Sequence, residues 1–134
     1  MKMKKSWLNL YTSIFTLTIT MNSIDLVLAQ ESKMVVRLAR LKIELAQLEN
    51  YKIALKEEIE TSIRVEPGVV TLNAVAEKKD PTNVTILEIY LDDDAYNKHL
   101  ETPHFKKYKT TTKDMVKSIE LTQTDPIILG TKKR

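Results

Sequence analysis

Cysteine is absent from the 134-residue chain, and glycine and tryptophan are scarce, with two Gly and one Trp. Without Cys there is no disulfide framework, no thiolate ligand for zinc, no thiol nucleophile and no Cys-borne lipid. Gly68 and Gly130 stand alone, which excludes the glycine-rich phosphate loops of dinucleotide-binding and P-loop folds. Length excludes a two-domain enzyme and leaves room for one domain with a modest core. A strong charge of one sign is also missing: 21 Lys+Arg against 18 Asp+Glu give a formal +3.

That charge is unevenly placed. Lys2, Lys4 and Lys5 precede a stretch from Trp7 to Met21 that is mostly apolar or Thr, and Val27-Leu28-Ala29 offers small or moderately small residues at the positions a signal peptidase reads. Residues 1–29 are therefore expected to be a signal peptide, with export to the bacterial periplasm. Thr12, Thr16, Thr18, Thr20, Asn22 and Asp25 interrupt the apolar run and disfavour a stable membrane span. Removing 29 of the 134 residues leaves 105, and with them go three Lys and Asp25, so the +3 falls to +1. A chain so close to neutral has little attraction for nucleic acid.

Within residues 30–134 the core is expected over about 33–124, followed by a C-terminal arm. Met34 to Ile43 is rich in Val, Leu and Ile and reads as a strand. Leu45, Leu48, Leu55, Ile59 and Ile63 recur at helical spacing, and Glu66-Pro67-Gly68 stops that helix, with Gly68 expected to take a positive φ. Val69–Glu77 and Val84–Leu91 are β-branched and apolar, and the polar turn between them makes a hairpin. Asp92 suits a helix N-cap. Thr102-Pro103 restarts a second helical piece, expected to run from His104 to about Met115. Ser118–Thr124 alternates as a last strand.

The order strand, helix, strand, strand, helix, strand is an α+β, ferredoxin-like βαββαβ pattern. Two helices cover one face of a four-stranded sheet. The hairpin strands are apolar on both faces, so the second face calls for another copy of the chain, in a homodimer.

Glu66 to Leu121, with Glu66-Pro67-Gly68, Glu88-Ile89-Tyr90 and above all Ala95-Tyr96-x-x-His99-Leu100-x-Thr102-Pro103-His104-Phe105-x-x-Tyr108, resembles the antibiotic biosynthesis monooxygenase family in its quinol monooxygenase branch. The upstream VRLARLKIE strand extends the resemblance over nearly all of the chain after the leader. It implies a dimeric α+β barrel and oxidation of a quinol or similar electron-rich aromatic by dioxygen, without metal, flavin or other cofactor. Related branches degrade haem or isomerise small molecules. The haem-ligating histidine of the former would fall at about Lys109 and its tryptophan at His99, so haem chemistry is not expected. An isomerase of a small carbonyl compound and a non-catalytic ligand-binding or stress-protection module stand as alternatives on the same fold.

Cofactor-free oxygenation asks the protein for a base, a water-poor pocket and donors for the developing anion. His99 and His104, the only histidines, are the candidate catalytic residues; His104 sits at a helix start, where the positive dipole end favours a neutral, proton-accepting ring. Tyr90, Tyr96 and Tyr108 are candidate substrate donors or ring contacts, and Phe105 and Met115 candidate apolar wall. Asn73, a polar amide in an apolar strand, is a further candidate contact. Arg37 and Glu88 are expected to pair across the sheet for structural reasons. No metal site is expected: five residues apart, the histidines point about 140° apart on an ideal helix at about 100° per residue, and Pro103 breaks the helix between them.

Overall fold

The computed structural model describes residues 33–132. The expected signal peptide, residues 1–29, lies outside the described residues. Strand β1 spans Val35–Ile43, helix α1 Leu48–Val65, β2 Val69–Ala76, β3 Asn83–Tyr90, α2 Asp93–Glu101, α3 Pro103–Thr112 and β4 Val116–Thr124. A 3₁₀ turn, Leu45–Gln47, leads into α1, so the α-helix begins at Leu48 and not at Leu45 as the periodicity predicts. The sheet is ordered β2-β3-β1-β4 with every neighbouring pair antiparallel, which is the ferredoxin-like α+β arrangement the element order predicts. No helix among the described residues is long and apolar enough to cross a membrane.

The β1 register sets Arg37 opposite Glu88, Ala39 opposite Ile86 and Leu41 opposite Val84. Since successive side chains alternate between faces, Arg37, Ala39, Leu41 and Ile43 share the face that meets the helices. Ala39, Leu41, Ile43, Val84 and Ile86 form the core there with Leu48, Tyr51 and Leu55 of α1 and Tyr108 of α3. Tyr51 is fully buried, and its hydroxyl is satisfied by the Tyr108 hydroxyl at 2.9 Å.

The buried stripe of α1 follows only part of the expected one: Leu48 and Leu55 are buried, and Ile59 packs half-buried against the core. Leu45 and Ile63 are exposed, and the buried residues are Leu48, Tyr51, Leu55, Glu58 and Ser62, spaced three, four, three and four. That stripe begins apolar over the core and ends polar. Its polar end faces α2 and α3.

Gly68 does not have a positive φ. Its lack of a side chain serves close approach: a Cβ there would lie 2.5 Å from the Ala95 Cβ and 3.3 Å from the Ala95 Cα, while the Gly68 carbonyl accepts the Leu91 N–H at 2.9 Å. The Glu66–Gly68 turn is thereby pressed against the first turn of α2. Gly68→Ala is expected to destabilise the protein by about 1–3 kcal/mol, the usual cost of overpacking. Adding Ala95→Gly should return part of that loss in a denaturant titration, since it removes the 2.5 Å clash and leaves only the 3.3 Å approach to the Cα. No recovery would locate the strain elsewhere.

Candidate functional site

Two helix ends and one turn build the site. Asp92 caps α2, its carboxylate accepting the Ala95 N–H at 2.7 Å. Thr102 ends α2 in an extended conformation, as a residue before proline must, and its hydroxyl oxygen accepts the Phe105 N–H at 3.3 Å to open α3. This break changes the chain direction between His99 and His104, so the separation computed for one continuous helix does not apply. Both imidazoles meet at Glu66. His99 Nδ1 lies 3.0 Å from Glu66 Oε1, and His104 Nε2 lies 2.5 Å from the same oxygen.

Burial by itself would push the Glu66 carboxyl up, but the hydrogen bonds from His104 and His99 outweigh it and hold the group below its ordinary value. An ionised carboxylate only accepts, so the facing nitrogens carry protons: Nδ1 of His99 and Nε2 of His104. The remaining His99 nitrogen, Nε2, sits 3.7 Å from Glu58 Oε1. Glu58 is buried on α1 and accepts the Ser62 hydroxyl at 2.7 Å; burial raises its carboxyl, against the pull of Ser62 and the two histidines.

Beside His99 a cavity of about 490 Å³ opens between the helix-facing side of β1, β3 and β4 and helices α2 and α3. Five of the expected site residues, Tyr90, Tyr96, His99, Phe105 and Tyr108, line it. The rings form a chain of contacts: Tyr90 is 5.2 Å from Tyr96 and 5.2 Å from His99, and His99 is 4.7 Å from Phe105, centroid to centroid. Burial raises the Tyr108 hydroxyl to about 12 and the Tyr90 hydroxyl further, so these tyrosines remain protonated donors at neutral pH. The Tyr90 hydroxyl donates to Glu88 Oε2 at 3.3 Å, and burial pushes the Glu88 carboxyl up as well.

Three expected site residues lie elsewhere. His104 borders a separate crevice of about 40 Å³ with Glu57 and Lys107, so its contact with the site runs through Glu66. Met115 packs against the main core instead of the cavity wall. Asn73 is exposed, and its register partner is Leu87, which puts it on the sheet face away from the helices. The pleat decides this: its neighbour Leu72, paired with Glu88, points to the helix side and is buried.

The sequence reading missed Glu66 and Glu58, and it gave Arg37 and Glu88 a structural duty only. Arg37 and Glu88 are register partners and both line the cavity. The expected geometric bar to a shared metal site also fails, because donor atoms of Glu58, His99 and His104 lie within 4.8 Å of one another. Such a set, one carboxylate and two imidazoles, is of a type that ligates divalent transition metals.

A profile of the antibiotic biosynthesis monooxygenase family matches residues 34–111. Among solved structures, a Bacteroides thetaiotaomicron protein bearing the family's name is 55% identical, with 76% of this chain and 97% of that one covered and a TM-score of 0.73. A Lactobacillus acidophilus protein bearing a monooxygenase name is 33% identical over 69% of this chain and 44% of its own, with a TM-score of 0.67. A Nitrosomonas europaea protein with the family's name is 24% identical over 72% and 92%, at a TM-score of 0.67, a likeness of fold. No curated protein matches. The family's fold, its signature segment across α2 and α3, and the profile match over more than half of the chain lead to one statement: the chain belongs to the antibiotic biosynthesis monooxygenase family.

Proposed function

We propose that the protein is a cofactor-independent monooxygenase that oxidises a quinol or similar electron-rich aromatic with dioxygen. The observation that carries this reading is His99, tied to Glu66 at Nδ1 and set in the wall of an aromatic-lined cavity of about 490 Å³. Small-molecule pockets commonly span about 300–1,000 Å³, so the space suits an aromatic substrate. His99, whose ring lines the cavity, takes the substrate hydroxyl proton while Glu66 stabilises the imidazolium that results. The anion then gives electrons to dioxygen. One oxygen atom ends in the product as hydroxyquinone and the other leaves as water, so the quinol supplies all four electrons.

Two further parts belong to this proposal. The protein works in the bacterial periplasm after losing residues 1–29, and it works as a homodimer. Leu38, Leu87 and Val75 lie on the sheet face opposite the helices, and Val75 is 65% exposed, a surface that a second sheet would cover.

Oxygen-electrode traces with a panel of reduced quinones test the reaction. Uptake of one O₂ per quinol, unchanged by a chelator, is expected. No uptake across the panel overturns the oxygenase reading, and uptake abolished by chelation moves the chemistry to a metal at Glu58, His99 and His104. Equal turnover of a carbonyl substrate with and without air would identify an isomerase.

A further inference from the structure

Arg37 is the least explained charge in the fold. It projects from β1 into the cavity wall, and its Nε is buried without a hydrogen-bond partner among the described residues. A guanidinium is always charged and a buried N–H without a partner is costly to a fold, so such a group has a use. Its register partner Glu88 makes no hydrogen bond to that Nε, although the guanidinium charge pulls the Glu88 carboxyl down against its burial. Its carbon Cζ instead lies 4.4 Å from the Tyr96 ring centroid, a cation–π contact that holds the guanidinium plane without consuming its donors.

The rest of the wall favours negative charge in a ligand. Lys109 and Lys113 stand at the α3 side, and Glu88 is the single carboxylate of the lining. Burial raises the Glu88 carboxyl against the pull of Arg37 and His99, which lessens but does not remove its opposition to an anion. Between the two charged ends, Phe105 and Tyr108 present flat ring surface. Arg37 and His99 line the same cavity and are joined by a run of ring contacts through Tyr96 and Tyr90, so an aromatic that spans the cavity can give a proton to His99 and keep its anionic oxygen toward Arg37.

We propose that Arg37 is the anion-binding residue of this cavity and that its ligands are flat aromatics carrying an oxygen anion, a carboxylate or an ionised hydroxyl. This deepens the function proposed above and rests on that reading for its catalytic consequence, but not for binding. Arg37 replaces the hydration of the anion by charge-assisted hydrogen bonds from its fork of N–H groups. The role of Glu88 is to be the acid that an anionic ligand must tolerate beside it.

Equilibrium binding of three probes tests this without turnover: 2-naphthoate, 4-nitrophenolate and the neutral 2-naphthamide. At least one anion is expected to bind about tenfold or more tighter than the amide, the size of a charge-assisted hydrogen bond. Preference for naphthoate assigns the carboxylate class, and preference for nitrophenolate the ionised-hydroxyl class. Arg37→Gln should weaken the anion about tenfold to a hundredfold and leave the amide nearly unchanged, with Arg37→Lys restoring part of the loss. Glu88→Gln should tighten the anion. Should Arg37 serve only to balance Glu88, the anions would bind no better than the amide and Arg37→Gln would affect all probes alike; either result, or no binding of any probe, overturns the proposal. Because no oxygen is consumed, anion binding with no quinol oxidation would sink the oxygenase reading alone, and the reverse result would sink the role of Arg37 alone.

Discussion

Replacing His99 by glutamine is expected to lower kcat/KM for quinol oxidation by about 10²- to 10⁴-fold, the usual contribution of a positioned base. Glutamine keeps an N–H to offer Glu66 and nearly fills the ring's space, so the fold should survive, which circular dichroism would check. The informative comparison is His104→Gln. His104 also bonds Glu66, at 2.5 Å, but it does not line the cavity. Its loss should cost less than about tenfold, through weaker positioning of Glu66. If the two substitutions impair oxidation equally, His99 is not the proton acceptor and the pair acts as one unit. The pH profile distinguishes these cases: the limb that reports the essential base disappears in His99→Gln and persists in His104→Gln.

Glu66 and Glu58 flank the same imidazole and are expected to give opposite stability changes with pH. The folded protein holds the Glu66 carboxyl below its ordinary value, so the stability it confers is complete above that value and is lost as pH falls through the lower, folded one. Glu66→Gln should therefore cost about 1.5–3 kcal/mol at neutral pH, the range for charged hydrogen bonds, and the deficit should close in acid. Glu58 behaves in reverse. Its carboxyl is raised by burial, so the folded state holds a proton that the unfolded chain releases, and stability falls as pH climbs from the ordinary carboxylate value to the raised one. Glu58→Gln retains an oxygen for the Ser62 hydroxyl and has no proton to lose, so it should gain on the wild type across that window. Denaturant titrations between about pH 3 and about pH 8 read both trends. Parallel curves for the two variants would mean that the carboxylates share one environment, contrary to the geometry.

Such opposed carboxyls beside one histidine suit proton transfer, since one stays ionised to hold the ring and the other favours its acid form. The break at Thr102-Pro103 is what makes this possible. It sets the last turn of α2 and the first turn of α3 around one carboxylate that neither helix contains.

Some of this was legible residue by residue. Asp92 and Thr102 announce their caps because a side-chain oxygen one turn before the free N–H groups is a local device. The strands follow from β-branched runs, and the family signature follows from Tyr96, His99, Thr102, Pro103, His104, Phe105 and Tyr108 as a set. Glu58 and Ser62 carried a signal that went unread: they continue the three-four spacing of Leu48, Tyr51 and Leu55, and only their polarity hid the stripe. Asn73 misled because an isolated polar residue in a strand is equally consistent with either face.

The sequence by itself determined the elements, their order, the absence of thiol and glycine-loop chemistry, and which histidines and tyrosines are present to act. These depend on local propensity and composition, which are properties of short windows. Tertiary structure alone decided that Glu66, read as part of a stop signal, reaches both histidines; that Arg37 faces a cavity; and that Asn73, Met115 and His104 stand outside its wall. Those facts depend on strand register, on the pleat and on the approach of Gly68 to Ala95, which join residues far apart in the chain through contacts that no local window contains.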